Sequence, residues 1–459
     1  MGAVAGSLSC ANQQAPDEQH KNETSVTPLA QGSSGIPLVV LITLDTTRAD
    51  HLGCYGYSKP TSPLLDSFAD ESLVYENAIA PGTWTLPSHA SLFTGKFIAS
   101  HGMRQDSQGS LPLSEGFPGP VEAHNKFRVR PLPDGELTLA ALLSAAGFQT
   151  GAVVSGPWMK RVFGLDRGFE YYDDTGMYDL DGRTARRVTD GAMRWLRKPT
   201  DRPRFLFLNY FDPHTPYDPP MQIARRFLPA GKLPELGREL TLEEKAGMYD
   251  AEIAYMDGHV GRLFDYLRRA GLYDRALIVV TADHGELLGE HGTEFHGHIP
   301  YQEVVHIPMI VKSPADHSAT GRNGEWIQLT DVLPLIFDKL ELTQPDGIQG
   351  SAPPDVGHPI VMESYTSPER PYFSGGWLGM IDNGMKILWN DRGDHKLFDL
   401  TADPHENTNL VASRPELSKE LSDSVQNYLA SLPAPKAAGP SYETDAEMLK
   451  NLKSLGYLK

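Results

Sequence analysis

The sequence predicts an α/β fold, with a mostly parallel central sheet covered by helices on both faces and a small antiparallel sheet toward the C-terminus. Three observations carry this. Apolar, β-branched runs of strand length recur and stop at acidic residues. Stretches with helical periodicity separate them. After about residue 350 the texture changes to short strand-like segments joined by an Asn-Gly pair.

The first 35 residues open small and apolar, reach Cys10, and then turn polar and rich in Gly and Ser. Such a segment buries too little apolar surface to order itself and is expected to be a disordered tail or a signal remnant. In the signal reading Cys10 is an acylated lipid anchor, although a basic n-region is missing and Ser7-Leu8-Ser9 is a poor cleavage box. That reading places the protein outside the cytoplasm, periplasmic, secreted or lipid-anchored; the plain-tail reading also allows the cytoplasm.

From Ile36 the strands follow. "IPLVVLITLD" is continuous and β-branched, the pattern of a strand buried on both faces, and it ends on Asp45. "TGAVVSG" is a second strand. "RFLFLNYFDPH" reaches Asp212 and His214, "RALIVVTADHGE" reaches Asp283 and His284, and "HIPMIVKS" is a further strand of the same sheet. In open α/β sheets ligands bind beyond the carboxyl ends of strands, so three distant segments are expected to converge there. The clearest helix is "EKAGMYDAEIAYMDGHVGRLFDYLRRAG". Its Ile253, Met256, Val260, Leu263 and Leu267 form a core stripe, and Gly271 lies just past the end. Beyond residue 350, "GWLGMIDNGMKILWN" carries the Asn383-Gly384 hairpin signal, and "DRGDHKLFDL" continues the strand pattern. "PELSKELSDSVQNYLASL" is a last helix, followed by a linker and a tail expected to pack back through Leu449, Leu452, Leu455 and Tyr457. No internal repeat is present. The chain thus divides into a tail (1–35), a catalytic domain (36–350) and a C-terminal subdomain (351–459).

Composition excludes several classes. Lys and Arg total 41 against 59 Asp and Glu, a net charge of -18, which argues against a nucleic-acid partner because phosphate backbones need a basic face. No run reaches the ~20 apolar residues that span a bilayer. Two cysteines, Cys10 and Cys54, make neither a disulfide framework nor a thiolate metal site.

Asp45, Asp283 and His284 are the candidate metal ligands, because carboxylate oxygens suit hard divalent ions and a neutral imidazole suits Mn or Zn. A lone strand-terminal Asp can instead cap a helix, but two such ends, one followed by His and Gly, favour the metal. Between them lies "PGTWTLPSHASLFTG" (81–95). Its hydroxyls have two readings: Thr85 or Ser88 is the N-cap of a helix, or one of them is a nucleophile activated by a base or a metal.

Several segments resemble the sulfatase family of the alkaline phosphatase superfamily. The family signature is a cysteine, any residue, Pro-Ser-Arg, and six residues later a Gly; "TLPSHASLFTG" keeps Pro87, Ser88, Thr94 and Gly95 in register, with Thr85 at the cysteine position. "LITLDTTRADHLGCYGY" and "TADHGELLGEHG" are similar to its two metal segments, "DPHTPY" to its substrate-histidine segment, and "LFDLTADPHENTNL" and "LKSLGYL" to its late motifs. The resemblance spans roughly residues 36 to 459, and it implies an alkaline-phosphatase-like sandwich that binds a metal and hydrolyses esters.

The departures cluster in the site. Sulfatases oxidise the signature cysteine to formylglycine, and Thr85 cannot undergo that conversion, so no formylglycine is expected. His89 replaces the motif's Arg, and Thr46 replaces the second carboxylate of an Asp-Asp pair. Lys160 is offered where a Lys-x-His is usual, and His296 or His298 replaces a later Lys. The pattern is closer to branches that use a threonine alkoxide on metal, whose ligand set would be Asp45, Thr85, Asp283 and His284. One divalent ion (Mn, Zn, Ca or Mg) is expected, with two as the alternative.

In the mechanism this resemblance implies, Thr85 attacks phosphorus or sulfur, His214 stabilises the added charge, and His296 or His298 protonates the leaving oxygen. His89, Arg48 and Lys160 are the substrate-contact candidates, although Arg48 has an equal claim on Asp50 in its own turn. His291, in "GEHG", reads as a structural loop residue. The expected substrate is a small-molecule, glycan or lipid ester bearing an anion, with a phosphodiester or phosphonate-type ester ahead of a sulfate ester. Transfer to an alcohol acceptor and a non-catalytic binding protein are the remaining alternatives.

Overall fold

A computed structural model describes residues 35–436 apart from 113–127, 178–181, 232, 235–237, 315–318, 355 and 366–374. Its main sheet has eight strands: β1 (Leu38–Leu44), β2 (Leu73–Ile79), β3 (Gln149–Val153), β4 (Tyr171–Asp173), β5 (Arg204–Tyr210), β6 (Ala276–Thr281), β7 (His306–Lys312) and β8 (Gly321–Gln328). They lie in the order β8-β2-β7-β6-β1-β5-β3-β4. Every pairing is parallel except the two made by β7. The sheet is therefore mostly parallel, as the sequence predicts, and β7 is the strand whose direction the sequence did not reveal.

Alternation along β1 explains the sandwich. Leu38, Val40, Ile42 and Leu44 join a core with Met256, Val260, Leu263, Phe264 and Leu267 of one long helix. Val39 and Leu41 face the other way, into a core with Leu86, Ala90 and Phe93. A strand flanked by helices on both faces buries both sets of side chains, which is why β1, β5 and β6 read as near-continuous hydrophobic runs, broken by Thr43, Asn209 and Thr281 toward their carboxyl ends. The long helix spans Leu242–Arg269 and begins at a Thr241–Glu244 capping box. Its whole predicted stripe is buried, and Gly271 follows its end at φ +67°.

The register fixes where chemistry collects. Thr43 pairs with Asn209 on one side and Thr281 on the other. The carboxyl ends of β5, β1 and β6 are thus adjacent, and Asp45, Asp212, His214, Asp283 and His284 emerge from one edge of the sheet. Over this edge lies helix α1 (Thr85–Thr94), with all ten residues buried. It has no solvent-exposed face, and its polar residues Thr85, Ser88, His89, Ser91 and Thr94 are all enclosed by protein. Gly95 ends it in the left-handed region, φ +62°, where a Cβ would also approach the Ile348 side chain to 2.8 Å. The glycine that closes the sequence motif is thus a backbone requirement.

A four-stranded antiparallel sheet follows: β9 (Ile360–Ser364), β10 (Trp377–Asp382), β11 (Met385–Asn390) and β12 (Lys396–Asp399). Asn383 and Gly384, both at positive φ, form the two-residue turn between β10 and β11 that the Asn-Gly pair predicts. Helix α2 (Pro415–Ser431) covers this sheet through Leu421, Val425 and Leu429. Thr83 Oγ1 donates to Ser364 Oγ, and Glu363 N donates to the Pro81 carbonyl, so β9 braces the segment that leads into α1. Cys10 and the tail residues Leu449, Leu452, Leu455 and Tyr457 lie outside the described residues. No helix among the described residues is long and apolar enough to cross a membrane.

The C-terminal subdomain holds a buried ion pair, Lys386 to Glu406 at 2.8 Å, both side chains fully enclosed, and Glu406 links it to the main body. Glu406 accepts the Gln302 amide at 2.7 Å with its other oxygen. A buried charge that loses its partner is costly, about 3–5 kcal/mol. Lys386→Met is expected to lower the thermal midpoint sharply, and adding Glu406→Gln is expected to recover most of the loss; equal losses in single and double variants would show that the two side chains are not coupled.

Candidate active site

Asp45, Asp283 and His284 are fully buried, and one ligand atom from each lies within 4.8 Å of the others. Asp45 follows directly from β1, while Asp283 and His284 follow β6 by one residue, so adjacent strands deliver the carboxylates side by side. Burial and then the neighbouring Asp283 charge push the Asp45 carboxyl well above its ordinary range. Burial likewise raises Asp283. Among the described residues Asp45 Oδ1 and Asp283 Oδ2 have no hydrogen-bond donor. Two enclosed carboxylates with idle oxygens are a costly arrangement, which a cation between them would relieve.

The third donor fits the same demand. His284 Nδ1 donates to the Gly285 carbonyl at 2.9 Å, which leaves the Nε2 lone pair facing Asp283 Oδ2 at 3.4 Å. Burial, and next the adjacent His296, hold this imidazole neutral, its pKa lowered to about 3. A neutral nitrogen and two carboxylates suit a divalent metal ion. Thr46 adds to the case: its backbone is left-handed, φ +53°, and its buried Oγ1 has no hydrogen-bond partner among the described residues. A β-branched residue held there is strained, and such strain gathers at functional sites.

Thr85 is the first residue of α1, and its Oγ1 lies 3.4 Å from His284 Nε2. Trp84 occupies the N-cap position and makes no side-chain cap, so neither Thr85 nor Ser88 plays the capping role that one reading of the sequence allowed. The buried Ser88 hydroxyl has no hydrogen-bond partner among the described residues.

His89 corrects an expectation. Its ring is fully buried one helical turn below Thr85; Nδ1 donates to the Thr85 carbonyl at 2.9 Å and Nε2 accepts from Thr43 Oγ1 at 3.0 Å. Thr43 is in turn reached by Asn209 Nδ2 at 3.3 Å, and the same amide approaches Asp45 Oδ2 at 3.5 Å. His89 therefore ties the start of α1 to β1 with both nitrogens occupied, and its Nδ1 also lies 3.5 Å from Asp283 Oδ2, so the ring borders the carboxylate cluster. Arg48 is similarly committed: it forms ion pairs with Asp50 and Glu290 at 2.7 Å each and donates to the Glu286 carbonyl. Of its two possible roles, the structure gives it the local carboxylate, Asp50. Lys160 joins two 3₁₀ turns, Pro157–Met159 and Arg161–Phe163. The first of these turns packs against α1.

Three imidazoles line one side of the cluster. His296 lies between His284 and His214, with ring centroids 4.4 and 5.1 Å away. His214 stacks on Phe211 at 4.3 Å and directs Nδ1 at the Thr215 carbonyl. Burial, and next the proximity of His296, lower its pKa to about 3. His296 Nδ1 bonds to Glu286 Oε1 at 2.9 Å. Glu286 is fully buried, and burial raises its pKa to about 7. Of the two histidines offered by "FHGH", His296 thus joins the cluster, while His298 Nε2 donates to the Glu294 carbonyl at 3.2 Å. His291 stacks on Tyr301 and bonds to Glu303, consistent with a loop role.

Sequence reasoning did not single out Glu286, Asn209 or Thr43. A signal existed for each. Glu286 stands two residues after His284 in the same turn, and Thr43 and Asn209 interrupt otherwise apolar strands, where a polar group needs a partner.

The sequence profile of the sulfatase family matches residues 37–341. An arylsulfatase of Clostridium perfringens is 24% identical over 461 residues, covering 86% of this chain and 93% of its own. A protein solved in complex with D-glucosamine-2-N,6-O-disulfate superposes with a TM-score of 0.70 at 18% identity, covering 89% of this chain and 99% of that one. The phosphonate monoester hydrolase of Agrobacterium radiobacter superposes with a TM-score of 0.68 at 17% identity, covering 86% and 95%. With a family profile spanning most of the chain and the shared fold beneath it, the chain belongs to the sulfatase family of ester hydrolases.

Proposed function

We propose that the protein is a metal-dependent hydrolase that cleaves an anionic phosphodiester or phosphonate-type ester through Thr85. The observation that carries this reading is the Thr85 hydroxyl at 3.4 Å from His284 Nε2, beside two buried carboxylates with idle oxygens. A divalent ion held by Asp45, Asp283 and His284 would favour the alkoxide form of a bound hydroxyl and neutralise charge on the ester oxygens. With its proton released to solvent, Thr85 Oγ then attacks phosphorus in line, the bond from phosphorus to the alcohol oxygen breaks, and that oxygen takes a proton from Nε2 of His296 in its imidazolium form. Glu286 fixes the His296 Nδ1–H, so that Nε2 is the nitrogen left to serve the leaving group. His214, neutral in the open site, gains its proton as the anion enters and balances its charge. Water then attacks phosphorus and gives a proton to the now neutral His296, and the bond between phosphorus and Thr85 Oγ breaks, which releases the acid and restores both side chains.

Chemistry separates phosphate from sulfate. A formylglycine hydrate expels sulfate by collapsing to the aldehyde, but a sulfated threonine has no such exit. A phosphorylated threonine is open to in-line attack by water. The second reading, a sulfate ester hydrolase, is favoured by the likeness to the arylsulfatase over 86% of the chain. Comparing kcat/KM on a 4-nitrophenyl phosphodiester, phosphonate monoester and sulfate decides between them: the phosphorus esters are expected to be faster, and a faster sulfate gives the site to the second reading.

Three predictions follow from the roles assigned. Thr85→Ala should lower kcat/KM by roughly 10³-fold or more with the melting curve unchanged, whereas Thr85→Ser should keep a measurable part; undiminished turnover in the alanine variant removes Thr85 as nucleophile. In metal-stripped protein Asp45→Asn should raise the thermal midpoint, because it relieves two repelling buried carboxylates. Adding Mn or Zn should then stabilise wild type but not the variant. A variant that is less stable without metal and still stabilised by it contradicts the ligand assignment. Glu286→Gln should slow an alkyl ester about tenfold more than the 4-nitrophenyl ester of the same acid, since a poor leaving group depends on the proton from His296; equal slowing of both would make Glu286 merely structural.

A further inference from the structure

Thr46 is a β-branched residue held at φ +53°, in the left-handed region that glycine adopts freely and threonine does not. The conformation has a visible use. It directs the Thr46 amide at Asp283 Oδ1, 3.3 Å away, and the His284 amide reaches the same oxygen at 3.0 Å. Two donors thus occupy Oδ1, and Oδ2 is the oxygen left without one among the described residues. Which oxygen of Asp283 is offered to a cation therefore depends on the backbone of Thr46.

A strained backbone persists only where its surroundings impose it. Here a single phenol does so. Tyr249, on the long helix Leu242–Arg269, is fully buried, and its hydroxyl donates to the Thr46 carbonyl at 2.7 Å while accepting the Arg48 amide at 2.9 Å. One oxygen spans the turn from both ends. The ring is fixed in its own right, meeting His51 edge-on at 5.1 Å and Tyr217 at 5.9 Å. The next residue, Asp250, is also buried and accepts from His51 Nδ1 at 2.8 Å, the Tyr57 hydroxyl at 2.9 Å and Lys59 Nζ at 2.7 Å. Two successive residues of one helix therefore hold the chain from Thr46 to Lys59. Tyr249→Phe would fill the same space, so packing accounts for the ring and not for the hydroxyl.

We infer that Tyr249 is a positioning residue for the carboxylate cluster: by clamping the turn at Thr46, its hydroxyl fixes the Asp283 carboxyl with Oδ2 left free for a cation. It touches neither substrate nor ion. The inference rests on the reading in which Asp45, Asp283 and His284 hold a divalent ion. Groups that orient a metal ligand from behind carry about 10- to 100-fold in metal affinity.

The test is a double-mutant cycle on metal-stripped full-length protein, with Kd for Mn and for Zn measured by calorimetry. Tyr249→Phe is expected to weaken whichever ion the wild type binds by about tenfold. In a Thr46→Gly background the same change is expected to cost about twofold or less, because glycine keeps the left-handed turn without a clamp. Any general loss of stability from the missing hydroxyl is common to both backgrounds and cancels. Amide hydrogen exchange on the metal-free proteins is the second readout. Exchange at position 46 is expected to be about tenfold faster in Tyr249→Phe, and Thr46→Gly is expected to remove most of that difference. Unchanged metal affinity in Tyr249→Phe, equal weakening in both backgrounds, or unchanged exchange at position 46 overturns the inference. A wild type that takes up neither ion while exchange follows the expected pattern removes the proposed reaction and leaves Tyr249 as the clamp on Asp283.

Discussion

Two carboxylates, Asp45 and Asp283, are enclosed together with oxygens that no donor in the described chain satisfies. Water would ordinarily solvate such charges, and burial without a partner costs several kcal/mol per ion. The rest of the site is arranged around this constraint. His284 is held neutral with its lone pair turned inward, Thr46 is kept in a strained backbone with its hydroxyl enclosed, and Asn209 offers its amide to Asp45 at 3.5 Å. In the function we propose, a divalent ion held there would resolve the conflict and would activate the hydroxyl placed beside it.

The scaffold keeps that hydroxyl in place through α1. Because the helix is buried on every side, its position is set by packing against both the sheet and the C-terminal part of the chain. His89 adds a fixed strut, linking the Thr85 carbonyl to Thr43 on β1, the strand that also ends at Asp45. The carboxylate and the hydroxyl are thereby referenced to one strand. Arg48 performs a comparable task for the outer loop, since its pairs with Asp50 and Glu290 hold the turn after β1 against the segment that carries Glu286 and His296.

Much of this was legible in the sequence, for physical reasons that differ by element. β1, β5 and β6 are apolar on both faces, so their runs and their acidic ends stood out. β2 and β8 did not: "LVYENAI" and "GRNGEWIQ" mix charge with apolar residues because they lie toward an edge of the sheet, and β8 is largely exposed. Strand direction was also hidden, since β7 has the same apolar pattern as its parallel neighbours. In the site, residue types at strand ends singled out Asp45, Asp283 and His284, and the resemblance to the family signature singled out Thr85; the four side chains lie together. Neither signal could tell whether His89 faced the ligand or the core, because a histidine one turn along a fully buried helix has no exposed face to declare it. Counting along "EFHGH" could not choose between His296 and His298 either, since the positive φ at Phe295 breaks the simple alternation of a strand.

The account stands on covalent chemistry at one oxygen. Acid-quenched protein taken during turnover of a 4-nitrophenyl phosphodiester, digested and analysed by mass spectrometry, reports directly on it. A phosphoryl-bearing adduct confined to Thr85, appearing at the start of turnover and disappearing as substrate is exhausted, is the predicted result; steady turnover with no adduct, or with one on a residue other than Thr85, would contradict it.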